Sequence, residues 1–139
     1  MNNNNQNYVF NVNWEDRGKH IHKVGMLAQI NDIYYFFIRS KEKAMAPYKS
    51  GFIGISGFEP EKIYRSPELF DFFKSRILDK KSSKPCEELA ETNGKSMVDS
   101  FSVEKLSDKI AKQYEEIILQ AYEIQQKRKE LESKKENIK

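Results

Sequence analysis

The sequence predicts an α+β fold: a small antiparallel β-meander packed with one Phe-rich helix, followed by a long C-terminal coiled-coil-like helix. Three observations predict it. Residues 8–39 read as three β-forming runs separated by turn residues. A helix start, Ser66-Pro67-Glu68, opens a run with Leu69, Phe70, Phe73 and Ile77 on one face. From Ser107 to the end there is neither Gly nor Pro.

Residues 1–7 form an Asn-rich tail with nothing to bury, read as disordered. Residues 8–106 form the α+β domain and residues 107–139 the helix. At residues 8–14, Tyr8, Phe10, Val12 and Trp14 alternate with Val9, Asn11 and Asn13, the period of a half-buried strand. Residues 15–19 then read as a turn around Gly18. Second and third strands are expected at 21–30 and 33–39. Asn31-Asp32 between them tolerates φ > 0 and suits a two-residue hairpin. Gly25 within the second strand marks a bulge or a close backbone approach.

Pro47, Gly51, Gly54, Gly57 and Pro60 forbid a continuous helix across 40–62, while Phe52, Ile53, Ile55 and Phe58 imply a loop laid over its own core. Ser66 can accept a hydrogen bond from an early backbone N–H, Pro67 loses no donor at the first helical position, and Glu68 complements the positive helix end. That helix is expected to reach about Leu78. Trp14, Leu27, Phe36, Phe70 and Phe73 are the core candidates. A polar linker, 79–85, precedes a short helix over 86–91, stopped by Asn93-Gly94. Met97, Val98, Phe101 and Val103 then make a further strand. Ser107 caps the final helix, in which Ile110, Tyr114, Ile117, Ala121, Ile124, Arg128 and Leu131 are spaced alternately four and three. The charge-rich stretch from Lys127 is expected to fray.

The chain has 139 residues, with 24 basic against 21 acidic side chains and a net charge of +3. This is not the concentrated basic stripe of a dedicated nucleic-acid-binding domain. Lys80, Lys81 and Lys84 cluster without an intervening acid, so nucleic-acid contact is permitted there but not favoured over a solvated linker. No apolar run approaches a membrane span, and the first seven residues lack the apolar stretch of a secretory signal. The single cysteine, Cys86, excludes an internal disulfide, and these features together favour the cytoplasm.

Catalytic chemistry finds no motif, and neither a cofactor nor a metal is expected. The glycines at 51, 54 and 57 lack dinucleotide-binding spacing, and Gly54-Ile55-Ser56-Gly57 is not a nucleophile elbow. His20 and His22 would share one strand face but have no third ligand, so both read as exposed surface histidines. Cys86 reads as structural, although a helix start there could lower its pKa. Asp99 and Glu104, five apart on one strand, point to opposite faces and form no catalytic pair.

Val24-Gly25-Met26-Leu27 and Tyr34-Tyr35-Phe36-Phe37, with Gly57-Phe58-Glu59-Pro60 and Leu69-Phe70-Asp71-Phe72-Phe73, resemble the strand, loop and helix order of HipA-like N-terminal domains. Pro85-Cys86-Glu87-Glu88-Leu89 through Thr92, Gly94, Asp99 and Phe101 resembles a related bacterial group associated with HIRAN domains. Together these segments cover residues 20–104. The resemblance implies a β-rich module without activity of its own, which in split systems binds a separate HipA-type kinase as its antitoxin. In place of the kinase domain, this chain carries a long helix. The expected role is a protein-interaction module, with an accessory role on nucleic acid as the alternative. The contacts expected on the helix are Tyr114, Ile117, Ile124 and Leu131, made to another protein, such as a HipA-like kinase, or to a second copy of the chain.

Overall fold

The computed structural model describes residues 7–40, 45–74, 86–87 and 100–137, with side chains of the last helix described to residue 134. Five strands form one antiparallel sheet: β1 (Tyr8–Glu15), β2 (Ile21–Ile30), β3 (Ile33–Ile38), β4 (Tyr64–Ser66) and β5 (Phe101–Lys105), in the order β4-β3-β2-β1-β5. Among the described residues, the short helices α1 (Met45–Lys49) and α2 (Asp71–Lys74) interrupt the strands, residues 86–87 are helical where the short helix over 86–91 is expected, and α3 (Asp108–Asn137) follows β5.

The expected meander is present as β1, β2 and β3. Asn31 and Asp32 both have positive φ, 52° and 67°, so the hairpin turns as type I′, whose twist matches that of the strands. Gly25 proves to be both things it could mark. Val12 pairs with Gly25 and Asn13 with Lys23, which leaves Val24 as the extra residue of a bulge. The bulge resets the alternation, so Val24 and Leu27 face the same core cluster. A Cβ on Gly25 would collide with the Phe37 carbonyl oxygen.

Both faces of the sheet are covered. On one, Phe10, Val12, Leu27, Phe36 and Val103 pack beneath Phe52, Leu69, Phe73 and Cys86. Phe36 is the hub of this layer, its ring centroid 4.9 Å from Phe58 and 5.1 Å from Phe73, both edge to face. On the other face, Val9, Met26, Ala28, Ile30 and Tyr35 pack beneath Ala111 and Ile118 of α3.

This second layer corrects the reading of β1 as half-buried: Val9 is fully buried, and Asn11 and Asn13 are 6% and 8% exposed. Two of the five core candidates, Trp14 and Phe70, are only partly buried and pack at the margin of the first cluster, whereas Leu27, Phe36 and Phe73 are fully buried. The apolar loop does lie over the core through Phe52 and Ile55, but Ile53 is 96% exposed. Within that loop α1 is a single turn; Pro47 is its third residue, where no intrahelical acceptor awaits its missing N–H.

Ser66 does not start a helix. Its backbone ends β4 opposite Tyr34, while its Oγ accepts the Glu68 N–H at 3.1 Å, and α2 begins only at Asp71. The end expected near Leu78, the short helix over 86–91 apart from residues 86–87, and Met97 and Val98 lie outside the described residues. Asn7 belongs to the fold rather than to a loose tail: its Oδ1 accepts from the Asn31 N–H, and its Nδ2 donates to Glu115 at 3.0 Å. The long C-terminal helix is present as α3, which runs through the charge-rich stretch from Lys127 to Asn137.

Candidate functional site

Two overlapping apolar rows run along α3, and the sheet takes one of them. Ala111 and Ile118 are buried, and Tyr114, Ala121 and Tyr122 are partly buried in the same cluster. Polar contacts fix this face as well. The Gln125 side chain closes on the backbone of Ile63: its Oε1 accepts the Ile63 N–H at 2.8 Å, and its Nε2 donates to the Ile63 carbonyl at 2.9 Å. Arg65 lies 5.7 Å from the centre of the Tyr122 ring, and Tyr35 meets that ring edge-on at 5.8 Å. The Tyr35 hydroxyl, hydrogen-bonded to Arg65, raises the pKa of the guanidinium.

The other row stays in solvent. Ile110, Ile117, Ile124 and Leu131 are 44%, 56%, 52% and 58% exposed. They stand seven residues apart, a line of about 31 Å at ~1.5 Å per residue, and Ile117 is turned about 100° from the buried Ile118. Of the four contacts expected on the helix, Ile117, Ile124 and Leu131 therefore lie on one exposed flank. Tyr114 does not: it is partly buried against the sheet, because its position falls between the two rows. Ile110 joins the flank.

Beside this flank the sheet is not fully covered. A groove of about 260 Å³ runs between Ile117 and Ala121 on the helix and Met26, Phe37 and Ile63 below. Arg39 lines it, half-buried, and its guanidinium has no ion-pair or hydrogen-bond partner among the described residues. A second hollow of about 650 Å³ continues along Ile124 and Arg128 beside Pro60 and Lys62. The surface is thus an apolar edge with a recessed floor, flanked by Arg39 in the groove and Arg128 and Lys129 in the second hollow, suited to receiving a helix.

Other chemistry-bearing residues are placed differently. His20 is exposed, but His22 is not the exposed surface histidine expected from sequence; its side chain is 14% exposed and its Nε2 lies 2.8 Å from Asp16 Oδ2. Asp16 also accepts the Gly18 and His20 N–H groups through Oδ1. The His22 hydrogen bond, then that of His20, holds the Asp16 carboxyl down at about 2. This cluster clips the β1–β2 turn, and sequence reading missed it because Asp16 looked like an ordinary turn residue. Cys86 is buried, and burial pushes its thiol up to about 12, opposite to the lowering a helix start would produce. Lys80, Lys81, Lys84 and Asp99 lie outside the described residues, while Glu104 is exposed on β5.

Among the described residues, no group of His, Cys, Asp and Glu could hold a metal ion, and no helix is long and apolar enough to cross a membrane. No protein family, curated protein or solved structure matches the chain.

Proposed function

We propose that the chain is a non-catalytic protein-interaction module whose contact surface is the exposed flank of α3, and that it acts in trans as an antitoxin-like regulator of a HipA-type kinase. One observation carries the first part. Four large aliphatic side chains recur every seven residues on a helix already docked by its other row. A line of that length has no role in the solvated face of a monomer and fits the contact edge of a helical interface. The kinase is supported by the order of segments over residues 20–104 that resembles HipA-like N-terminal domains.

The test is co-expression with a HipA-type kinase encoded beside the chain. Co-purification and relief of kinase toxicity are expected. If the two proteins, both folded, fail to associate by calorimetry, the regulatory reading falls.

A further inference from the structure

We propose that the α3 flank is the two-fold interface between two copies of this chain, with the helices parallel, Ile117 and Ile124 meeting their mates, and Glu116 of each copy paired with Arg39 of the other. The inference rests on the reading of this flank as an interaction surface and gives it to a second copy, so that a kinase partner is met elsewhere on the dimer.

The spacing identifies the occupant. Whatever covers Ile110, Ile117, Ile124 and Leu131 must offer apolar side chains at matching intervals along about 31 Å. The chain supplies such an element in α3 itself, and an isologous contact sets each of these residues opposite its own copy.

The sheet decides the direction. It covers the row of Ala111, Ile118 and Gln125, about 100° around the helix from the flank. An antiparallel pair would bring both sheets to the same side of the helices. That space is already occupied, since Phe37 and Ile63 extend beneath the flank as the groove floor. A two-fold axis parallel to α3 instead puts the second sheet on the opposite side, and the two helices become one layer between two sheets.

Charge agrees with the parallel arrangement. In it, the outer side of the partner helix, with Gln113, Glu116 and Gln120, turns toward the groove. Glu116 precedes Ile117, which lines the groove together with Arg39. Glu116 is exposed, and the Arg39 guanidinium, which shares the groove wall with Glu61, has no ion-pair or side-chain hydrogen-bond partner among the described residues. An in-register partner therefore delivers a carboxylate at the level of the unpaired guanidinium, and does so twice by symmetry. Covering the flank and the groove on both copies removes on the order of 1,000 Å² in total from water, the size at which specific interfaces begin.

The full chain tests this by light scattering and sedimentation equilibrium over a wide dilution series. A dimer is expected. Ile117→Asp with Ile124→Asp should give a monomer whose circular dichroism is unchanged, because neither side chain is in the core. Arg39→Glu and Glu116→Arg should each weaken the dimer about tenfold or more, and the two together should recover most of the loss. Leu131→Cys should oxidise to a disulfide-linked dimer, since only a parallel pair brings the two residues 131 together. A monomeric native chain, a dimer that survives both Asp substitutions, a charge exchange without recovery, or no cross-link at 131 each overturns the proposal. A monomer that still binds the kinase through this flank defeats the inference alone. The expected dimer without any kinase binding defeats the regulatory reading alone.

Discussion

Ile117 and Ile118 are sequence neighbours with opposite burial, which allows the placement of α3 to be tested by one pair of substitutions. Ile118 is 3% exposed, beneath the sheet residues of the second cluster. Ile118→Ala removes three carbons, about 2.4 kcal/mol of transfer free energy at ~0.8 per methylene. The cavity left against the sheet adds to this, so a total of about 3–4 kcal/mol is expected, within the range for buried Ile→Ala. Ile117 is 56% exposed. There Ile→Ala forfeits roughly half the transfer term, about 1 kcal/mol, and regains a few tenths from the better helix propensity of Ala. The net cost is under about 1 kcal/mol. Equilibrium urea unfolding, followed by helical circular dichroism and Trp14 fluorescence, measures both. Working at low protein concentration keeps self-association out of the comparison. Equal costs for the two variants, or a silent Ile118→Ala, would refute this docking of the helix and with it the identity of the exposed flank.

Other outcomes follow from the same packing. Phe73→Ala, at the fully buried partner of Phe36, should cost about 3–5 kcal/mol, and an unchanged melting temperature would contradict that placement. Gly25→Ala drives a methyl group into the Phe37 carbonyl and should cost about 1–3 kcal/mol, read as a lower urea midpoint. Asp16 has its folded pKa depressed from 3.8 to about 2, so its contribution is fully present above pH 3.8 and is lost as pH falls through 2. Asp16→Asn should therefore destabilise the protein at neutral pH and flatten its acid unfolding curve over that window; an unaltered acid midpoint would show that the His22 clip does nothing. The buried Cys86 thiol, pushed up to about 12, should resist alkylation in the folded protein and react at the rate of an exposed thiol in urea; fast labelling of the native chain would contradict its burial.

How legible the fold was depended on whether a signal was local. The β1–β2–β3 meander is written in two-residue alternation and in Asn31-Asp32, and both operate within a few residues. The misreading of β1 has a tertiary cause. Val9, Asn11 and Asn13 look like a solvent face, yet α3, from the far end of the chain, packs over Val9, and both asparagines are buried on the same strand. β4 was missed because three residues, Tyr-Arg-Ser, are too short for any period to show. Ser66 carried a true hydrogen-bonding signal, but a hydroxyl that accepts an N–H two residues on serves a strand end as well as a helix cap. On α3 the heptad spacing was visible, yet two apolar rows overlap between 110 and 125. Sequence alone could not say which row the sheet would take, so Tyr114 was grouped with Ile117. The Gln125 clamp on Ile63 had no sequence signal, since an exposed helix carries such glutamines freely.

The distribution of side-chain size between those rows is itself an argument about function. The docked row is built from Ala111, Ala121, Tyr114, Tyr122 and Gln125, and Ile118 is its one large aliphatic residue. The outward row holds Ile110, Ile117, Ile124 and Leu131. Burying what remains exposed of each of these is worth roughly 1 kcal/mol. A helix that served only to cover its own sheet would gain most by turning its largest aliphatics inward and its alanines and glutamine outward. Here small residues let α3 approach the sheet closely, hydrogen bonds and a tyrosine pair hold it there, and the strongest apolar material is kept for the flank. That division fits a helix with two contacts, one within the chain and one beyond it.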